Sequence, residues 1–249
     1  MNQDSAQLDG WFRTTLGQRL LKAEVEVLQR ILPHLFGFHL LQIGGMGQGI
    51  LLESSRIRHR CIVNHQIIET LQPPYSQVCS EWSLLPFAQD SVDVVVLPHL
   101  LEFAENPHEV LREVERILIP EGHLIILGFN PLSWWGVLRW FLGKRAGVPW
   151  CGQFLSAFRV KDWLALLGFD LTEQSTFFFT PPFQRNCCID YQFLEFVGNR
   201  LAWNFGAVYV LVARKRVTLL TPLKPKWHEP QQLVSGVSIN HPFSQCKKK

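Results

Sequence analysis

The sequence predicts an α/β doubly wound fold, and three observations carry the prediction. Two strands that are almost wholly apolar, 92–97 and 123–127, flank an amphipathic helix, the mark of a parallel sheet covered on both faces. An earlier apolar strand, 38–43, runs directly into a glycine-rich turn, Gly44-Gly45-Met46-Gly47-Gln48-Gly49. A chain of 249 residues, 47% hydrophobic and 18% charged, is too apolar for disorder and long enough for a substantial core.

Taken in order, residues 16–35 read as a helix, with Leu20, Val27, Leu28, Ile31 and Leu35 on one face and Arg19, Lys22, Glu26 and Arg30 elsewhere. Pro33 lies near its end. After the glycine turn, the apolar residues 50–52 suit a helix start. Residues 61–64 and 77–79 are short strand candidates. Residues 92–97 form the best strand, rich in β-branched side chains and introduced by the polar turn Gln89-Asp90-Ser91. Asn106, Pro107 and Glu109 then spell a capping box with proline at the first helical position. Val110, Leu111, Val114, Ile117 and Leu118 make the buried stripe of that helix, and Pro120-Glu121-Gly122 is expected to end it before strand 123–127.

Residues 129–155 interrupt the alternation with an aromatic, basic helical run that includes Trp134, Trp135, Arg139, Trp140, Phe141, Lys144, Arg145 and Trp150. Residues 160–167 return to helix, with Gly168 as the residue that stops it. Strands are expected from 169 and over 207–213. From 218 onward Pro, Lys, Gln and Ser dominate without periodicity, so 1–217 is read as the domain and 218–249 as a basic, disordered tail.

Charge and cysteine usage exclude several functions. Net charge is +3, yet residues 214–249 hold eight Lys/Arg against the single acid Glu229, leaving the body with 16 basic and 20 acidic side chains. A mildly acidic body argues against nucleic acid as a specific partner. The six cysteines show no CxxC spacing, and no histidine cluster stands at zinc-ligand distance, so neither a metal nor a disulfide framework is expected. Cys187 and Cys188 are adjacent and poorly placed for a simple intrachain bridge. No apolar run approaches the ~18–20 residues of a membrane span, and residues 1–10 lack the features of a leader. A reduced, cytoplasmic protein is the expectation.

A glycine turn between a strand and a helix lets a ligand approach the backbone closely. Dinucleotides, nucleotides and S-adenosylmethionine all fit that signal. A phosphate-binding P-loop does not, because no Gly-Lys-Ser/Thr follows. A dinucleotide site should carry an acid at the end of the second strand, where this chain has Asn64-His65.

The segment Glu81-Trp82-Ser83-Leu84-Leu85-Pro86-Phe87 through Val96, then Pro98-His99-Leu100-Leu101-Glu102-Phe103, Asn106-Pro107, Leu111-Arg112-Glu113 and Leu118-Ile119-Pro120-Glu121-Gly122, resembles class I S-adenosylmethionine-dependent methyltransferases of the type 11 family. The whole chain, with Gly-Phe-Asn-Pro at 128–131 and Ala213-Arg214-Lys215-Arg216, is similar to the YafS-like proteobacterial proteins. The resemblance implies a Rossmann-like, mostly parallel seven-stranded sheet with a reversed C-terminal hairpin strand. It implies S-adenosyl-L-methionine as cofactor. Gln42, Gly44, Gly45 and Gly47 match the loop that holds the methionine part, with Gln42 where the family has an acid and with Met46 displacing the glycine pattern. Asn64 stands at the ribose position. Glu81 matches the acid that receives the adenine amino group, and Trp82 could lie against the ring. Leu97, Pro98 and His99 would line the floor beside the sulfonium.

Methyl transfer from a sulfonium needs alignment and exclusion of water more than acid–base groups. His99 is the one candidate base, needed only if the acceptor must lose a proton. Phe129, Trp134 and Trp135 are the candidate acceptor-lining residues, for a small-molecule or lipid-like methyl acceptor. The insert or the basic tail could also touch a membrane surface. Against this enzymatic reading stands a catalytically degenerate binding or regulatory module, suggested by Gln42 and Asn64. A dinucleotide oxidoreductase is disfavoured by the missing acid.

Overall fold

A computed structural model describes residues 7–8, 10–44, 46–66, 74–142, 147–180 and 205–216. The strands are β1 (His39–Ile43), β2 (His59–Asn64), β3 (Tyr75–Cys79), β4 (Val92–Pro98), β5 (Leu118–Phe129), β6 (Phe169–Phe177) and β7 (Val208–Lys215). The helices are α1 (Thr15–Ile31), α2 (Pro107–Ile117), α3 (Trp134–Leu142) and α4 (Ala157–Leu166). The strands form one seven-stranded sheet in the order β3-β2-β1-β4-β5-β7-β6. Pairs among β1 to β5 are parallel, while β7 runs antiparallel to both β5 and β6. The doubly wound sheet with its reversed final strand is therefore as the sequence implies.

Alternation along the strands builds a core on each face. Leu40, Ile62, Val94, Val96, Ile125 and Leu127 face α1, which contributes Leu20, Leu28 and Ile31. Leu41, Ile43, Val63, Val95, Leu97, Leu124 and Ile126 face α2 and α4, which bring Val110, Leu111, Val114, Val160 and Leu164. Both faces being covered explains why β4 and β5 read as continuous apolar runs.

Local chemistry corrects four expectations. The first helix stops at Ile31, because Pro33 has no N–H to continue an α-helix, and the chain tightens to a 3₁₀ turn over Leu32–His34. Residues Met46–Leu52 form a 3₁₀ helix rather than the start of an α-helix. Asn106 does not cap α2 through its side chain; its amide instead donates to Glu109 Oε1 at 2.7 Å. Pro120-Glu121-Gly122 lies within β5, not after a longer helix: Val92 pairs with Leu118 but Val94 with His123, and Glu121 adopts φ 65° in that bulge. Gly168, at φ 80°, follows α4 as expected, and Thr14 caps the start of α1, accepting from Gly17 N.

Among the described residues, no helix is long and apolar enough to cross a membrane. The tail 218–249 and the Cys187-Cys188 pair lie outside the described residues.

Candidate functional site at the ends of the parallel strands

The strand order reverses direction between β1 and β4, and open α/β sheets bind ligands beyond the C-terminal ends of the strands at such a switch. Gly44 follows β1 there with φ 108°, a backbone conformation that a side chain resists. A Cβ at Gly44 would lie 3.4 Å from Leu100 Cδ1 and 3.8 Å from Pro98 O, so the turn after β1 abuts the turn after β4. Gln42 is fully buried beneath this turn, and its side-chain amide donates to Gly44 O at 2.8 Å. Its visible part is therefore to brace the loop backbone. Gly45 lies outside the described residues, and Gly47 belongs to the 3₁₀ helix that follows.

On the β2–β3 side, Asn64 ends β2 and its carbonyl accepts from Ser80 N at 3.0 Å. His65 follows, its ring 4.2 Å from the Trp82 indole. Trp82 is buried in the α2-side core, whereas Glu81 is exposed and bridges to Leu84. Trp82 Nε1 and His65 Nε2 are buried and have no hydrogen-bond partner among the described residues. Desolvation pulls the His65 pKa down despite the neighbouring Glu81 carboxylate. The loop carrying Glu81 is tied to α2: Leu85 N–H donates to Glu113 Oε1 at 2.8 Å, and the Arg116 guanidinium donates to Leu85 O and Phe87 O. Arg116 in turn holds the Glu113 carboxyl below its ordinary pKa.

His99 sits immediately after β4 with φ 49°, a left-handed conformation uncommon for any residue but glycine. Its N–H extends the ladder by one bond to Leu127 O at 2.9 Å, and the chain then turns. The imidazole is fully buried. Nε2 lies 2.7 Å from Glu24 Oε1 on α1, and Nδ1 lies 3.5 Å from Glu102 Oε1. Glu102 Oε1 also accepts from Phe129 N at 2.6 Å. Burial pushes the His99 pKa down, but the Glu24 charge and the two carboxylate contacts outweigh it and hold it up at about 9. The contacts with Glu24 and Glu102 thus favour the protonated ring, with Nε2 held by Glu24.

The aromatic insert divides rather than forming one wall. Phe129 is fully buried and lies 4.0 Å from the His99 ring. Trp135 is buried as well, stacks with Phe129 at 5.8 Å, and donates from Nε1 to Thr180 O at 2.9 Å. Trp134 points the other way and is 72% exposed. Of the candidate acceptor-lining residues, Phe129 and Trp135 thus turn inward and Trp134 to solvent, because consecutive helical positions lie about 100° apart. Of the floor residues, Leu97 belongs to the core under α2, and only Pro98 and His99 reach the strand edge. Among the described residues, no three or more His, Cys, Asp or Glu side chains are grouped so as to hold a metal ion.

Sequence reasoning missed Glu24. The signal was an acid on the apolar stripe of α1, one turn from both Leu20 and Leu28. His65 carried no comparable signal.

Comparison with known proteins fits this geometry. The chain is 33% identical to YafS of Escherichia coli K12 over 228 residues, covering 90% of this chain and 88% of that protein. It belongs to the YafS family. Within it, residues 57–126 match the methyltransferase domain family. The fold is that of class I S-adenosylmethionine-dependent methyltransferases. A chain from the Haloferax volcanii complex between the Trm112 methyltransferase activator and a methyltransferase superposes with TM-score 0.64 at 16% identity, over 86% of this chain and 98% of that one. The geranyl diphosphate C-methyltransferase of Streptomyces coelicolor, solved with S-adenosyl-L-homocysteine, superposes with TM-score 0.54 at 16% identity, over 80% of each chain.

Proposed function

We propose that the protein is an S-adenosyl-L-methionine-dependent methyltransferase acting on a small-molecule or lipid-like acceptor. The observation that carries this reading is the meeting, at the β1/β4 switch, of a glycine turn held at positive φ with the residues that follow β4. The chain's groups fit the cofactor: among the described residues, buried atoms of His65 and Trp82 have no partner, next to the exposed Glu81 side chain, where a nucleoside would need polar contacts.

In this reading the Gly44–Gly47 turn receives the methionine part, with Gln42 bracing it from below. Asn64 takes the ribose, Glu81 the adenine amino group, and Trp82 flanks the base. The cofactor supplies an activated methyl group for in-line displacement. The chain itself aligns the partners and excludes water: α1 covers the edge beside His99, and Phe12 and Phe129 close round the ring, with centroids 6.1 and 4.0 Å away. The exposed apolar side chains Leu132, Trp134, Val137, Trp140 and Phe141 support a lipophilic acceptor or contact with a membrane surface.

Calorimetric titration with S-adenosylmethionine, its demethylated product and NADH tests the reading. Binding of the first two and not the third is expected, and Glu81→Ala should weaken binding at least severalfold. No heat with either sulfur compound would remove the reading. A tritium-label screen against metabolite and lipid extracts then identifies the acceptor.

A further inference from the structure

At the opposite edge of the sheet from Gly44 and His99, the first residues of β1 and β2 form a pair that the methyltransferase reading leaves unused. His39 and His59 are direct register partners on adjacent parallel strands. Their Nδ1 atoms lie 3.0 Å apart, with the rings at 82° to one another. A contact of this kind holds one proton: one ring donates, and the other offers its lone pair. Both backbones are tied down close by. Asp93 Oδ2 accepts from the N–H groups of Phe38 and His39 at 2.9 and 2.8 Å, and Arg60, next to His59, donates to Ile57 O and Ser55 O at 2.9 and 2.6 Å. The two residues are exposed and border a cavity of about 190 Å³ whose other walls include Leu41, Cys61, Phe87 and Val92.

We propose that His39 and His59 chelate a divalent late first-row transition-metal ion, nickel(II) or copper(II), through their Nδ1 atoms. The site is separate from the cofactor edge and stands independently of the methyltransferase reading. On binding, the donating ring moves its proton from Nδ1 to Nε2. Both Nδ1 lone pairs are then free for the ion, and no proton leaves the protein. Metal–imidazole bonds of about 2.0–2.1 Å that end on atoms 3.0 Å apart meet at roughly 91–97°. That is the angle between neighbouring positions of a tetragonal or octahedral ion, whereas a tetrahedral zinc site would need its nitrogens about 3.3–3.4 Å apart. Among the described residues no third His, Cys, Asp or Glu is grouped with the pair, so water completes the coordination and the donor set is two imidazoles. The strand register presets the spacing, so little side-chain ordering is needed when the ion arrives. An ion held there joins the starts of β1 and β2.

The test is calorimetric titration of the full chain with nickel(II) chloride in a non-coordinating buffer near neutral pH, for the native protein and for His39→Gln and His59→Gln. Both positions are exposed, and circular dichroism checks that the variants fold. The native protein should bind one nickel ion that each variant weakens by at least about tenfold, since losing a ligand costs no less than losing an outer-shell partner. Thermal unfolding gives a second readout: nickel should raise the Tm of the native protein more than that of either variant. Zinc(II) should bind the pair more weakly than nickel(II), as the angle requires. Nickel binding that is absent from the native protein, or that both variants retain unchanged, would overturn the proposal and leave the pair a hydrogen-bonded contact. A loss in one variant alone would likewise exclude chelation by the pair, and tighter zinc than nickel binding there would overturn the choice of ion.

Discussion

The buried imidazolium makes the protein's stability depend on pH in a calculable way. His99 titrates at about 9 in the folded chain, against 6.5 for an ordinary histidine. Folding therefore raises its proton affinity, and the resulting stabilisation is fully present below pH 6.5 and lost as pH rises through about 9. At 1.36 kcal/mol per pKa unit, the gap corresponds to roughly 3 kcal/mol. For a chain of this size that is a fall in Tm of roughly 6–12 °C. The matched control is His99→Asn, because asparagine tolerates the left-handed backbone at this position and does not titrate. Urea unfolding followed by tryptophan fluorescence, at pH 6, 7.5 and 9.5, should show the advantage of native protein over variant shrinking across that window. The His99 Cε1–H resonance offers a direct reading and should stay unmoved until pH approaches 9. A midpoint below 6.5 would refute the reasoning, since burial would then have outweighed both carboxylates.

Three further outcomes follow from particular contacts. Lys215, buried at the end of β7, donates to Glu115 O, Leu118 O and Asp90 Oδ1 at 2.7, 2.9 and 3.0 Å; Lys215→Ala should cost about 2–3 kcal/mol in urea unfolding, as two backbone carbonyls lose a charged donor. Gly44→Ala forces a side chain into φ 108° and should destabilise by about 1–3 kcal/mol while weakening S-adenosylmethionine binding by calorimetry. Trp134→Ser with Trp140→Ser removes two exposed rings and should leave stability within about 0.5 kcal/mol per site, while partition onto anionic lipid vesicles falls if that face meets a membrane.

The local signals in the chain were sufficient for the sheet and its two-sided cover. The apolar runs of β4 and β5, the stripe of α2 and the glycine turn after β1 each act over a few residues, through period and backbone sterics, so they survive without tertiary context. The bulge in β5 did not, because whether Pro120-Glu121-Gly122 ends a helix or bends a strand depends on the register against β4. The site shows the same division. The turn at Gly44 after β1 and the position of His99 at the end of β4 were legible along the chain. That the proton affinity of His99 is raised was not, because Glu24 lies 75 residues away on α1. Likewise Trp134 and Trp135 look alike in sequence, and only the packing of α3 against Phe129 sends one inward and the other to solvent. Identity and spacing determine the elements and the turns between them. Burial and long-range charge, which exist only once those elements meet, decide what each polar side chain can do.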